Sequence, residues 1–321
     1  MYPRDFEQKI GFAVIREQIG ALALSEKGRE GVMMSQFSSD KVYVSSVQHR
    51  LSEFKTILML DAPFPAEGYG DESEALRRLR YPDQSLLLEE LHRIGQALTA
   101  LTAIQQYFEA RDGYPALGAL ASSVPSFAMQ REAIARIVTP SGGLRDYASP
   151  RLQQLRSQIS AREENIARRL SAILSSAQRE GMSPDGASPT LRGGRPVIPI
   201  LATYRKRFAA VVQDRSSTGQ TLYVEPYEVI EIQNDIDDLR QAEQEEIVRL
   251  LKELSNVLRP DAPTLIEAMQ ILTQFDVLRA KALFAVRVGG SMPILVDTPT
   301  LYVREAHHPF LLQTLRQQGR E

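Results

Sequence analysis

The stretch Arg195–Pro226, RPVIPILATYRKRFAAVVQDRSSTGQTLYVEP, decides how the rest of the chain reads. Three short runs rich in Val, Ile, Tyr and Phe, at Val197–Leu201, Phe208–Gln213 and Thr221–Val224, have strand character and are split by two turn signals. The first connection, Thr203–Arg207, is strongly basic. The second, Arg215–Gln220, carries Ser-Ser-Thr-Gly, with a glycine free to take positive φ. The pattern predicts a small antiparallel meander with basic residues on its connections.

On either side lie long helical patterns. Upstream, Ser149 and Pro150 supply an N-cap and a first-turn proline in the preferred order. Leu152, Leu155, Ile159, Ile166, Leu170 and Ile173 then recur at intervals that suit a helix running to about Glu180. Its length would be roughly 45 Å at 1.5 Å per residue. Downstream, a second helix is predicted to open at Glu225-Pro226, with Glu228 and Glu231 in its first turn, and to close at Arg259-Pro260. Its apolar stripe, Ile232 to Val257, lapses at Glu243–Glu246. From Arg151 to Glu180 there are six arginines against three acids, and from Glu225 to Leu258 ten acids against three cations. One helix is basic and the other acidic, as an antiparallel pair would need.

Working outward again, residues 1–138 read as a succession of core-forming helices, and Leu265–Arg287 as another that rejoins them. Pro293–Asp297 and Leu301–Arg304 have the composition of strands. The 321 residues suffice for more than one domain, and 43% apolar with 24% charged content is that of a globular chain. Zero Cys excludes disulfides, thiolate chemistry and cysteine-ligated zinc. No apolar run approaches membrane-spanning length, and the N-terminus lacks the apolar core of a signal peptide, so a cytoplasmic location is expected.

The net charge of −2 hides a local excess: Arg192, Arg195, Arg205, Lys206, Arg207 and Arg215 face the single acid Asp214. Such a cluster fits phosphates through salt-dependent, sequence-independent contacts, or it is a solvated tip kept soluble by charge. Asp214-Arg215-Ser216-Ser217-Thr218-Gly219 reads either as an anion nest or as a hairpin turn whose Asp and Ser cap their own backbone. His307 and His308 have no third ligand nearby, and Asp237-Asp238 and Glu245-Glu246 lie on a charge-dense helix face, so neither metal binding nor catalysis is expected.

These residues resemble a family. Thr190-Leu191-Arg192 with Arg195 and Ile198-Pro199, then Val212-Gln213-Asp214-Arg215-Ser216-Ser217-Thr218-Gly219-Gln220-Thr221 running to Glu225-Pro226, are similar to the bacterial type-two MutS proteins. Weaker matches occur at Ala75–Arg78, Asp146–Ser149 and Arg304–Pro309. Pro196, Ala209-Ala210 and His307 depart from the usual pattern, which holds an aromatic residue, glycine and arginine at those places. The resemblance implies a mainly α fold: a helical core (1–148, rejoined by 261–290), a lever of two helices (149–189 and 227–260), and a β clamp (190–226) at its tip. It also implies that 291–321 are the first strands of an α/β ATPase domain, truncated here. The phosphate-loop pattern GxxxxGK[ST] is absent from the sequence, so this segment is expected to hold no cofactor and to be non-catalytic. ATP and Mg would belong to the full-length parent, which by resemblance ends in a nuclease domain, forms a homodimer, and acts on branched DNA in recombination or on stalled ribosomes. The alternative is a helical scaffold that docks a protein partner without binding nucleic acid.

Overall fold

The computed structural model describes residues 6–60 and 63–309 together with Leu311 and Leu315. It is mainly helical, with one small antiparallel sheet of four strands. The chain divides into two compact units, Met1–Gly143 with Lys252–Glu321, and Leu144–Leu251.

The first unit contains eight helices before Gly143 among the described residues: α1 (Phe6–Lys9), α2 (Phe12–Gly20), α3 (Glu26–Met33), α4 (Lys41–Leu60), α5 (Ser73–Arg78), α6 (Leu88–Glu109), α7 (Pro115–Ala121) and α8 (Ala128–Ile137). In α6, Leu91, Ile94, Leu98, Leu101 and Ile104 are spaced three and four apart and are all buried, so the helix exists because it has a face to hide. Phe64 sits 4.8 Å from Phe54 and 6.0 Å from Phe275, ring centre to ring centre. Short helices are fixed at their ends by side chains from elsewhere in the unit. Buried Asp276 accepts hydrogen bonds from the N–H groups of Leu24 and Ser25, each at 2.8 Å, at the start of α3. Arg16 donates to the carbonyls of Val32 and Ser35 at its end, at 3.0 and 2.7 Å. From Ser291 to His308 no strand forms, contrary to the expectation for Pro293–Asp297 and Leu301–Arg304. Among the described residues no neighbouring strand pairs with them, and Ile294, Leu301 and Tyr302 stand exposed.

The second unit is built on α9 (Pro150–Arg179) and on the part of α10 (Tyr227–Leu258) that ends at Leu251. Ion pairs fix their direction: Arg156 meets Glu243 at 2.7 Å, Glu163 meets Arg240 at 2.7 Å, and Arg162 meets Asp235 at 2.6 Å. From Arg156 to Arg162 and Glu163 on α9 the partner moves back from Glu243 to Asp235 and Arg240 on α10, so the helices are antiparallel. Each exposed pair contributes about 0.2–1 kcal/mol, enough to choose a register. Cohesion comes from apolar contact, where Ile159, Ile166, Leu170 and Leu174 of α9 share one cluster with Val229, Ile232 and Ile236 of α10.

Between these helices lie β1 (Thr190–Arg192), β2 (Arg195–Leu201), β3 (Ala210–Arg215) and β4 (Thr221–Pro226), in spatial order β1-β2-β4-β3. The predicted meander is therefore corrected. β2 pairs with β4 rather than with β3, and Ala202–Arg207 is a 3₁₀ crossover in place of a hairpin turn. The reason is burial: β2 is covered along Pro196–Ile200, which suits a central strand, whereas β3 is exposed from Gln213 onward. Ile198, Ile200, Leu222 and Val224 join the helical cluster. Pro226 also departs from expectation, since it ends β4 opposite Ala210 and α10 begins one residue later.

Two prolines in a central strand would ordinarily cost ladder hydrogen bonds. Leu201 N–H donates to Met182 O at 2.8 Å on the β1 side, and Ala202 N–H to Gln220 O at 2.9 Å on the β4 side. By alternation, position 199 faces the β1 side beyond the last pair, Thr190 with Val197, and position 196 faces the β4 side before pairing begins at Ile198. Neither proline lies where a donor is needed, and the Pro199 carbonyl accepts Ser183 Oγ at 2.7 Å.

At the start of α9, Ser149 Oγ accepts Leu152 N–H at 3.0 Å and donates to Glu246 Oε1 at 2.6 Å. Glu246 is fully buried and takes two further bonds from Arg249, at 2.7 and 2.6 Å. Those bonds, with Ser149 adding to them, outweigh burial and hold its carboxyl down to about 2. A carboxylate whose folded value lies below its unfolded one adds stability that is complete above about pH 4.5 and is lost as pH falls toward 2. Glu246→Gln should therefore lower the denaturation free energy at pH 7 by about 3 kcal/mol. Urea titrations of both proteins should show that difference shrinking between pH 4.5 and 3. A difference independent of pH would remove Glu246 from this role.

Candidate nucleic-acid interface

The six cations picked out in the sequence fall into two groups. Arg192 ends β1, where Gly193 and Gly194, with φ of 55° and 79°, make a two-residue hairpin loop of the kind that has positive φ at both positions. Its guanidinium lies 4.3 Å from the Tyr223 ring centre, and its Nε is 3.3 Å from Asp214 Oδ2. Arg195 lies 3.7 Å from Glu225 Oε1 and 3.6 Å from Asp237 Oδ2, and it donates to Asn234 Oδ1 at 3.1 Å. Both arginines are thus committed to neighbours, and Arg195 ties the sheet to the first turns of α10.

Arg205, Lys206 and Arg207 are different. They occupy the second half of the 3₁₀ crossover, and none of the three pairs with a carboxylate among the described residues. Lys206 and Arg207 are exposed, and the Arg207 guanidinium lies 5.9 Å from the Tyr204 ring centre. Arg215, at the end of β3, is also exposed and without an acidic partner there; only its backbone N–H is engaged, by Asp214 Oδ1 at 2.7 Å. The crossover begins at the end of the sheet that bears the β3–β4 turn, because Ala202 N–H reaches Gln220 O.

Within that turn, Ser216 N–H donates to Thr221 O at 2.9 Å and Gly219 N–H to Ser216 O at 2.8 Å. Thr221 N–H donates to Ser216 Oγ at 3.1 Å. Two amides that a nest would aim outward, those of Ser216 and Gly219, therefore serve the turn itself, with Gly219 at φ 69°. Ser217 and Thr218 are exposed beside them.

Sequence reasoning missed the residues that sort the cations. Glu225 is 2% exposed, accepts Gln213 Nε2 at 2.6 Å and leaves Oε1 without a hydrogen bond beside Arg195. Gln213 is the extra residue of a β-bulge, since Val212 pairs with Val224 and Asp214 with Tyr223. The bulge puts Asp214 on the Tyr223 side, within reach of Arg192. The Gly193-Gly194 pair between strand-like runs was a readable hairpin signal; the bulge had none. Among the described residues no group of His, Asp and Glu is arranged to hold a metal ion, and no helix is long and apolar enough to cross a membrane.

Comparison with known proteins bears on what such a surface meets. The chain is similar to Endonuclease MutS2. It is 30% identical over 306 residues to the protein of that name from Geobacillus sp. (strain WCH70), a match that covers 94% of this chain and 39% of the relative. Against Endonuclease MutS2 of Pelotomaculum thermopropionicum the identity is 28% over 307 residues, covering 95% and 39%. Against that of Geobacillus thermodenitrificans it is 31% over 305 residues, covering 94% and 39%. The chain thus spans about two fifths of the length of these MutS2 relatives. No family model matches it.

The two groups of cations should respond differently to truncation. Arg195→Ala strips a charge from beside a buried carboxylate and should destabilise the protein by about 1–3 kcal/mol. Arg215→Ala should change stability by less than about 0.5 kcal/mol. Chemical denaturation of the two variants side by side decides it, and equal effects would refute the division.

Proposed function

We propose that this chain is a segment of a MutS-family protein of the second type, and that it holds the phosphate backbone of nucleic acid with the crossover and turn of its sheet. The observation that carries the reading is the run Arg205-Lys206-Arg207, three consecutive cations with no acid paired to them among the described residues. On the long helices, by contrast, Arg156 and Arg162 are matched by carboxylates of the facing helix. Similarity to the MutS2 relatives over 94% of the chain supports the family and, through it, DNA as the polyanion.

In this reading the segment carries out no chemistry. Its two long helices form a lever, about 45 Å at 1.5 Å per residue, and the sheet is a clamp at the lever's end. ATP and Mg bind in another part of the parent, and their turnover moves the clamp on and off branched or duplex DNA held between two copies; the nuclease activity in the relatives' name belongs elsewhere in the parent as well. Contact is to backbone and not to base edges, so it is independent of sequence.

The test is binding of the chain to labelled duplex and four-way-junction DNA across about 50 to 200 mM salt. For duplex, each neutralised phosphate contributes about −0.9 to the slope of log affinity against log salt. Replacing Arg205, Lys206 and Arg207 together by Ala should flatten that slope by roughly 2.7, whereas Arg192→Ala should leave it unchanged. Absence of binding at the low-salt end would overturn the proposal in favour of a scaffold for protein partners. An unchanged slope in the triple variant would move the contact away from the crossover.

A further inference from the structure

Between Ser149 and Gln274 the chain has four aromatic residues, Tyr204, Phe208, Tyr223 and Tyr227, and all lie within the 24 residues that also hold Arg205, Lys206, Arg207 and Arg215. Two of the four serve the fold: Phe208 packs against the apolar cluster and Tyr223 lies beneath Arg192. The other two are placed differently. Tyr204 and Arg207 are three residues apart on a 3₁₀ turn, a spacing that eclipses side chains, and the guanidinium stands 5.9 Å from the ring centre. Tyr227 is 56% exposed, at the first position of α10. The chain leaving the crossover passes it, for Tyr227 N–H donates to the carbonyl of Ala209, two residues beyond Arg207, at 3.0 Å. The three cations therefore follow Tyr204 in the chain and precede, by two residues, the Ala209 carbonyl that receives Tyr227 N–H.

Burial does not account for an aromatic ring left more than half exposed at the start of a helix, since that ring forgoes the contact that stabilises the others. Rings set among cations that track a phosphate chain form a platform on which bases stack, and only bases freed from pairing can reach it. A closed duplex offers phosphates to the same cations and no base faces to the rings. We infer that the crossover surface binds nucleic acid with unpaired bases in preference to intact duplex, with Tyr204 and Tyr227 as stacking residues. The inference rests on the nucleic-acid reading above and adds the state of the strand that is recognised.

The experiment uses the full chain at one low salt concentration and compares two strands with equal numbers of phosphates, an oligothymidylate of roughly ten nucleotides, within the span of one such surface, and an abasic strand of the same length, with a duplex long enough to stay paired. The expected result is affinity for thymidylate at least about five-fold above that for the abasic strand. Tyr227→Ala and Tyr204→Ala should erase most of that advantage without changing affinity for the abasic strand, and the Phe variants should keep it. The chain contains no Trp, so tyrosine emission can be read directly, and thymidylate but not the abasic strand should quench it. Equal affinity for thymidylate and abasic strand, with binding still salt-dependent, overturns this inference and leaves the phosphate-binding proposal standing. Loss of affinity for both strands alike in the Ala variants also overturns it. No binding to any probe overturns the nucleic-acid reading, and this inference with it.

Discussion

Everything in the second unit depends on an aliphatic seam. Two helices of 30 and 32 residues present mostly charged surfaces, and exposed ion pairs alone would not hold them side by side. The seam closes because the Ile and Leu side chains of α9 meet those of α10 and, on the same contact surface, one face of the sheet. The sheet thus completes a core that neither helix could complete. Three or more strands with a face to bury are what let so small a sheet persist, and here that face is Ile198, Ile200, Leu222 and Val224.

Electrostatics is layered on this seam. At the base of the pair the chain accepts a buried carboxylate, Glu246, because Arg249 and Ser149 are positioned to satisfy it. Halfway along, Arg156 and Arg162 are matched by acids on the opposite helix. At the sheet, Arg192 and Arg195 are matched again, by Asp214, Glu225 and Asp237. On the crossover, Arg205, Lys206 and Arg207 have no such acid among the described residues. Charge density in a sequence counts cations, whereas availability for a ligand counts only those left after the fold has taken its share.

That distinction explains what could and could not be read from the sequence. Helix spacing, the Ser149-Pro150 start of α9, the opposed charges of α9 and α10, and the β character of the stretch between them are local patterns, and all appear in the fold. Strand order is not local. Whether β2 neighbours β3 or β4 depends on which strand must be buried, and the two-proline run Arg195–Leu201 proved to be the central one. The bulge at Gln213 and the burial of Glu225 and Glu246 likewise depend on partners distant in the chain, so a helix-face acid such as Glu246 looked like any other. Pro293–Arg304 shows the converse: strand-forming composition produces no strand where the described residues offer no edge to join.

The bulge in β3 has one more consequence. β3 is the outer strand on its side of the sheet, and an outer strand left flat offers its open backbone groups to any other chain that passes. An inserted residue bends that margin and breaks the even spacing a newcomer would have to match. Gln213 thus makes the open margin of β3 a poorer template for a further strand.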